Sequence, residues 1–328
     1  MVSDNDYDMS SKLRLNLSTL VFFPVLLIPI ACIAIYWFAN EERILRNSKQ
    51  LIPEPFQPGA EFKAYWNAGE AEITSYHLSQ ARYGEFHEGT AVLLFVAEDF
   101  STRTLTKSDG GNGPAMPVLK VNFEKKFITG IYPYSILMTA VSPVDAERYP
   151  YPLKVATSSQ EWCGHAYSQL NYRAGHYEMT GHSYFPGEGD QESRIDEALP
   201  EDAIWTRLRI APEKLPTGSF SLIPGTIYAR LRHQPLTPVR VSAQLLHSDT
   251  TGVAVYQVDY LDGSRQLKIW YEEKFPHIIR GWEEDYEEGF GPGARHFVTK
   301  ASRMVTKKLD YWNHHHNADR VIRTELKL

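Results

Sequence analysis

Residues 253–271 read VAVYQVDYLDGSRQLKIWY. Asp262-Gly263 suits the type I′ turn of a tight hairpin, and the runs on either side alternate apolar and polar residues. Closing a two-residue loop there sets Leu261 opposite Ser264. The register then pairs Val258 with Leu267, Tyr256 with Ile269 and Ala254 with Tyr271 on one face. Asp259 with Gln266 and Gln257 with Lys268 fall on the other. A slip of one residue would scramble that separation. The stretch therefore predicts an antiparallel hairpin in a sheet packed on one face and open to water on the other.

Further runs of this kind extend in both directions. Glu70–Tyr76, Thr90–Val96, Val118–Phe123, Ser135–Val141 and Phe297–Thr306 read as strands, and residues 108–114 (SDGGNGP) as a loop. Helix is scarce. Its best candidate is Pro200–Arg209, with Pro200 at the first position, Glu201 and Asp202 in the first turn, and Ile204 and Leu208 spaced to share a face. These patterns predict a mainly β fold over residues 62–312. It is either one large antiparallel sheet or a two-sheet sandwich or half-barrel, with few short helices. Gly187-Glu-Gly-Asp190 offers a joint should two subdomains meet near residue 190, and residues 313–328 read as a polar tail.

The N-terminal region has a different character. No charge occurs from Leu15 to Asn40, and residues 20–38 read LVFFPVLLIPIACIAIYWF. That is long enough for a bilayer span of ~20 residues. Pro24 and Pro29 are better tolerated in a membrane helix than in a soluble one, and Tyr36 and Trp37 suit the headgroup layer. Two forms of attachment follow. In one, residues 1–14 with Lys12 and Arg14 form a cytoplasmic n-region and 15–40 an uncleaved transmembrane anchor. In the other, Cys32 is the lipidated residue of a bacterial lipoprotein signal, with Ala31 matching a lipobox and Pro29 departing from it. Either places the rest of the chain at the periplasmic or outer side of a membrane. Residues 41–61, charged and then proline-rich, read as a spacer.

The composition excludes some functions. A formal net charge of −6 with no long basic run argues against nucleic acid as a partner. Two cysteines, Cys32 and Cys163, make no disulfide framework. There is neither a G-x-S-x-G nucleophile elbow nor a glycine-rich phosphate loop opening a helix. The densest candidate for chemistry is residues 161–182. Glu161, Cys163 and His165 alternate, and a turn at Arg173-Ala174 would bring His182 opposite His165. Cys163, His165 and His182 could then ligate zinc, or a histidine could activate Cys163 as a nucleophile. No known metal signature has these spacings, and a packed strand with hydrogen-bonded histidines is the plainer expectation. The acidic run Glu283-Glu-Asp-Tyr-Glu-Glu288 lacks the alternating ligands of a calcium loop and reads as a solvated hairpin end. His314-His-His316 belongs to the polar tail.

Four runs carry a family resemblance: Tyr65-Trp-Asn-Ala-Gly-Glu-Ala-Glu-Ile73, Gln80-Ala-Arg-Tyr-Gly-Glu85, Gly130-Ile-Tyr-Pro-Tyr-Ser135 and Gln160-Glu-Trp-Cys-Gly-His165. They resemble uncharacterised envelope proteins of Gram-negative bacteria, many with a lipoprotein signal and many labelled septum formation inhibitor Maf. Genuine Maf enzymes resemble nucleotide pyrophosphatases and open on a Ser-x-Ser-Pro-Arg-Arg segment, which this chain lacks. The resemblance thus implies the label without the activity. The function expected is that of a non-catalytic, membrane-anchored envelope protein binding a lipid, a lipoprotein or another envelope protein through a face of its sheet. The alternative is an enzyme or metalloprotein using Cys163, His165 and His182.

Overall fold

The computed structural model describes residues 53–110, 113–247, 252–289 and 293–328. The membrane segment 15–40 and Cys32 lie outside them. Among the described residues no helix is long and apolar enough to cross a membrane. The described residues form one compact unit, so Gly187–Asp190 is a loop between neighbouring strands and not a joint.

The first half of the chain folds as a meander. It comprises β1 (Ala71–Arg82), β2 (Glu85–Ser101), β3 (Ala115–Thr129), β4 (Tyr132–Pro143), β5 (Lys154–Glu161), β6 (Gly164–Arg173), β7 (His176–Ser183) and β8 (Gln191–Asp196). The second half supplies β9 (Leu199–Pro200), β10 (Gly218–Ile223), β11 (Val239–Leu246), β12 (Val253–Tyr260), β13 (Arg265–Glu272), β14 (Ile279–Glu288) and β15 (Arg295–Leu309). All fifteen belong to one sheet, in which β1 pairs with β15 and the halves fan outward from that seam to β8 and β9. The sheet is mixed and not purely antiparallel. After β9 the chain leaves the sheet through a helical crossover and returns as β10, which makes β9 and β10 parallel, with Leu199 beside Leu222.

The two edge strands are separated by only Glu197 and Ala198. Consecutive Cα atoms lie 3.8 Å apart, so Asp196 and Leu199 stand within roughly 11 Å of each other. The sheet therefore curls until its two edge strands approach each other at one end. Its interior is filled by the residues that follow. A 3-10 turn (Glu201–Ala203) leads into α2 (Ile204–Ile210), and α3 (Thr226–Arg232) comes after β10. A third helix of the same length, α1 (Ala60–Trp66), precedes β1. A seven-residue helix is marginal in water, and α2 is buried on every side from Ile204 to Arg209. Packing within the sheet is what holds it.

The predicted hairpin forms in the predicted register, with Ala254 opposite Tyr271, Tyr256 opposite Ile269 and Val258 opposite Leu267, all six buried. The turn is of another type. Only Gly263 takes positive φ (76°), whereas type I′ requires it at both central residues. Tyr260 O accepts from Gly263 N at 2.9 Å, and the Asp262 carboxylate accepts from Ser264 N at 3.0 Å.

Both termini of the described domain are more folded than their composition suggests. Glu54 N donates to the Tyr149 hydroxyl at 3.1 Å, and Phe56 packs on the core, so the end of the spacer docks on the domain. The tail turns into α4 (Arg320–Glu325) and buries Leu326.

Candidate functional site

The largely apolar interior of the sheet also buries several charged groups, and these pin the helices in place. Arg209 of α2 is bonded to Glu72 of β1, and Glu201 to Arg265 of β13 at 2.7 Å. Arg232 at the end of α3 faces Glu288 of β14 at 3.7 Å, with Arg82 of β1 at 3.9 Å from the same carboxylate. Hydroxyl pairs add Thr206 with Ser142 at 2.6 Å and Thr226 with Thr157 at 2.5 Å. Glu284 is the hub, meeting Lys125, Arg265 at 3.1 Å and Trp282 Nε1 at 3.0 Å. Burial alone would push its pKa up, but Lys125 and Arg265 prevail and lower it to about 2. Lys125, Arg265, Glu201 and Glu284 cancel in charge, which is how buried ions are tolerated. Among the described residues Asp202 has no cation within ion-pair distance. It accepts from Thr226 N at 3.0 Å and Thr226 Oγ1 at 2.8 Å, and burial pushes it up to about 7.

This network corrects the expectation for residues 283–288. The segment is a strand, so alternate residues share a face. Glu284, Tyr286 and Glu288 point inward and are buried, while Glu283, Asp285 and Glu287 face out.

One end of the curled sheet gathers many of its connections. The strand directions place the β1–β2, β3–β4, β5–β6, β7–β8, β12–β13 and β14–β15 connections together there. The spacer, α1 and the β2–β3 and β4–β5 connections lie at the other end. Between the inner faces of β5, β6 and β7 and the end of α3 lies a cavity of about 260 Å³. Small residues leave this space: Ala166, Ser168 and Gly181 form its floor and Ala229 part of its wall. Ser159 also lines it, and its buried hydroxyl has no partner. At the mouth, Glu188 of the β7–β8 loop meets Arg230, His233 and Ser183. Burial raises the Glu188 pKa, and His233 and Arg230 outweigh it to hold the group below the ordinary carboxylate value.

The same end carries an apolar rim. Ile131 (81% exposed), Tyr184 (76%) and Trp162 (69%) project from hairpin tips, joined by Tyr83, Phe86, Ile128 and Leu261. The rings touch one another: Tyr132 stacks on Trp162 at 6.3 Å and donates to the Tyr83 hydroxyl at 3.0 Å, and Phe86 meets Phe297 at 5.4 Å. No protein-family model, curated protein or solved structure matches this chain.

The residues singled out in the sequence lie at the rim and do not converge. The β6–β7 turn is Ala174-Gly175, both at positive φ (50° and 84°), one residue beyond the predicted turn. This shift sets His182 opposite Tyr167, so His165 and His182 share the outer face two positions out of step. Cys163 is exposed in the β5–β6 turn, and His182 Nδ1 is 3.0 Å from Asp190. Among the described residues no three His, Cys, Asp or Glu side chains are placed to hold a metal ion.

Proposed function

We propose that this protein is a non-catalytic, membrane-anchored cell-envelope protein that docks another envelope protein on its apolar hairpin rim. Residues 15–40 would hold it to the membrane, as a spanning anchor or through lipid on Cys32, with the domain facing the periplasm or the cell exterior. The observation that carries this reading is the position of the rim. Exposed Ile131, Trp162 and Tyr184 sit at the end of the sheet remote from Pro53, where the spacer enters. Clustered exposed apolar residues mark interaction surfaces, and Tyr and Trp are favoured there.

The inner sheet face is occupied by the chain's own helices and ion pairs, which disfavours carriage of an acyl chain on it. Charge favours a protein over an anionic membrane. Glu85, Glu88, Asp190, Glu192, Asp262 and Glu287 are exposed at the rim end, against Lys126, Arg240 and Arg295. The partner therefore presents an apolar surface with basic residues around it.

Photo-crosslinking in the native envelope tests this reading. A photoreactive residue at Ile131 or Trp162 should give one discrete protein adduct, and one at Leu246, at the other end, should not. No adduct from either rim position, or the same adduct from both ends, refutes rim docking.

A further inference from the structure

The cavity beside α3 supports an inference that does not depend on rim docking. Its mouth is closed by Gly187-Glu188-Gly189, a stretch in which a single side chain makes the contact. Arg230 Nη1, His233 Nδ1 and Ser183 Oγ all converge on the Glu188 carboxylate. Arg230 is only 9% exposed and its guanidinium lies over the Phe185 ring at 4.1 Å, so the cation is fixed before any ligand arrives. His233 ends α3 with a left-handed backbone (φ 54°) and packs its ring edge-on against the same Phe185 ring at 5.5 Å. A guanidinium, an imidazole and a hydroxyl aimed at one point form a donor set suited to a carboxylate. Here the chain itself supplies the carboxylate.

Behind this point the space is unfilled. A Cβ added at Gly181 would find its nearest neighbours at 3.7 and 3.8 Å, Met179 Sδ and Gln191 Cβ, so the floor admits more atoms than it holds. Ser159, 2% exposed, lines the same space, and its hydroxyl is left without a partner. Native structures rarely leave buried polar atoms in that state, and a polar atom of a ligand would satisfy it. At about 260 Å³ the space is just below the range usual for drug-sized ligands and suits a small molecule.

We propose that the cavity binds a small organic acid, whose carboxylate takes the place of Glu188 on Arg230, His233 and Ser183 and whose body lies over Gly181. Gly187, at φ 80°, and Gly189 flank Glu188 and let the loop swing clear. Glu188 is thus an internal competitor. A carboxylate on a short loop has an effective concentration in the millimolar range or above, so the closed state masks the affinity of the site.

The test is calorimetric titration of the full chain in detergent with benzoate and succinate, using benzamide as the neutral counterpart of benzoate. Glu188→Gln removes the competing charge and should tighten at least one of the two acids by about tenfold or more. Arg230→Met and Gly181→Leu, each in the Glu188→Gln background, should abolish that binding. Thermal unfolding checks that each variant is folded, and Ser168→Leu replaces Gly181→Leu if the latter is not. Failure of both acids to bind Glu188→Gln overturns the proposal. So does benzamide binding as tightly as benzoate, or binding that survives the filled floor.

Discussion

Arg209 donates from Nη1 and Nη2 to the two carboxylate oxygens of Glu72, each at 2.6 Å, with the two residues 1% and 0% exposed. The pair joins α2 to β1 across the core, and Arg209 also lies over the Phe95 ring at 4.7 Å. Burial alone raises the Glu72 pKa, and Arg209 reverses it so that the carboxyl falls below its ordinary value. Removing one partner strands the other charge in the interior. Arg209→Met should therefore cost about 3–5 kcal/mol. The double variant Glu72→Leu/Arg209→Met should recover much of that loss, because an apolar pair of similar volume needs no desolvation of ions. Urea denaturation midpoints of both variants measure it. Equal losses for the single and double variants would show that the helix and strand are held together in another way.

Asp202 and Glu284 give stability opposite pH dependences. The folded pKa of Asp202, about 7, lies above its ordinary 3.8. The folded state then holds a proton that the unfolded state has released, so stability falls as pH rises from about 4 to about 7, by ~1.4 kcal/mol for each pH step at the steepest. Glu284 is the reverse, with a folded pKa of about 2 against an ordinary 4.5. Its contribution is complete above the unfolded value and is lost as pH falls from there toward 2. Asp202→Asn keeps an oxygen for Thr226 and removes the titration. Its stability relative to the parent should rise between pH 5 and pH 8 in chemical denaturation, and a constant difference would rule out the buried acid.

Some of this architecture was legible in the sequence, and the divide is one of range along the chain. The 253–271 hairpin was readable because its register is set by residues a few positions apart. The pairing of β1 with β15 links residues more than 200 positions apart, as with Ala71 and Leu309, and leaves no local trace. The ion pairs follow the same divide. Glu284 meets Lys125 on β3, so neither residue's neighbours announce the other. A signal was present in Trp282, Glu284, Tyr286 and Glu288, which alternate at strand period and so bury two carboxylates beside two aromatics. The slip at His165 and His182 had a local cause. Gly175 readily takes positive φ, and it marks the second turn residue.

Neighbouring strands approach closely at two glycines, Gly89 and Gly281. Gly281 sits at the β-bulge where the β13–β14 register shifts between Trp270 and Tyr271, and it pairs with Ser302 of β15. A Cβ there would stand 2.3 Å from Ala301 O, a backbone atom that cannot rotate away. Gly281→Ala should destabilise the domain by about 1–3 kcal/mol. Gly59→Ala, where a Cβ meets nothing within 4 Å, should stay within about 0.5 kcal/mol of the parent. Thermal or urea unfolding of the two variants side by side gives the comparison, and equal effects would mean that the strands can separate locally at no cost.

Cys163 distinguishes the docking surface from a reactive centre. It is exposed in the two-residue turn between Glu161 and Gly164, beside Trp162, and no metal-binding group forms around it among the described residues. A maleimide should therefore label Cys163 fully in the native protein, with little change in thermal stability. Purified protein should carry no stoichiometric zinc by elemental analysis. Cys163→Ser should leave stability within about 0.5 kcal/mol, as expected for a surface substitution, and should leave crosslinking from Ile131 intact. A bulky label at Cys163 stands next to Trp162 and should weaken that crosslink. Zinc bound at one equivalent and lost in Cys163→Ser would restore the metal site that this geometry fails to assemble, and would move the function from docking to chemistry.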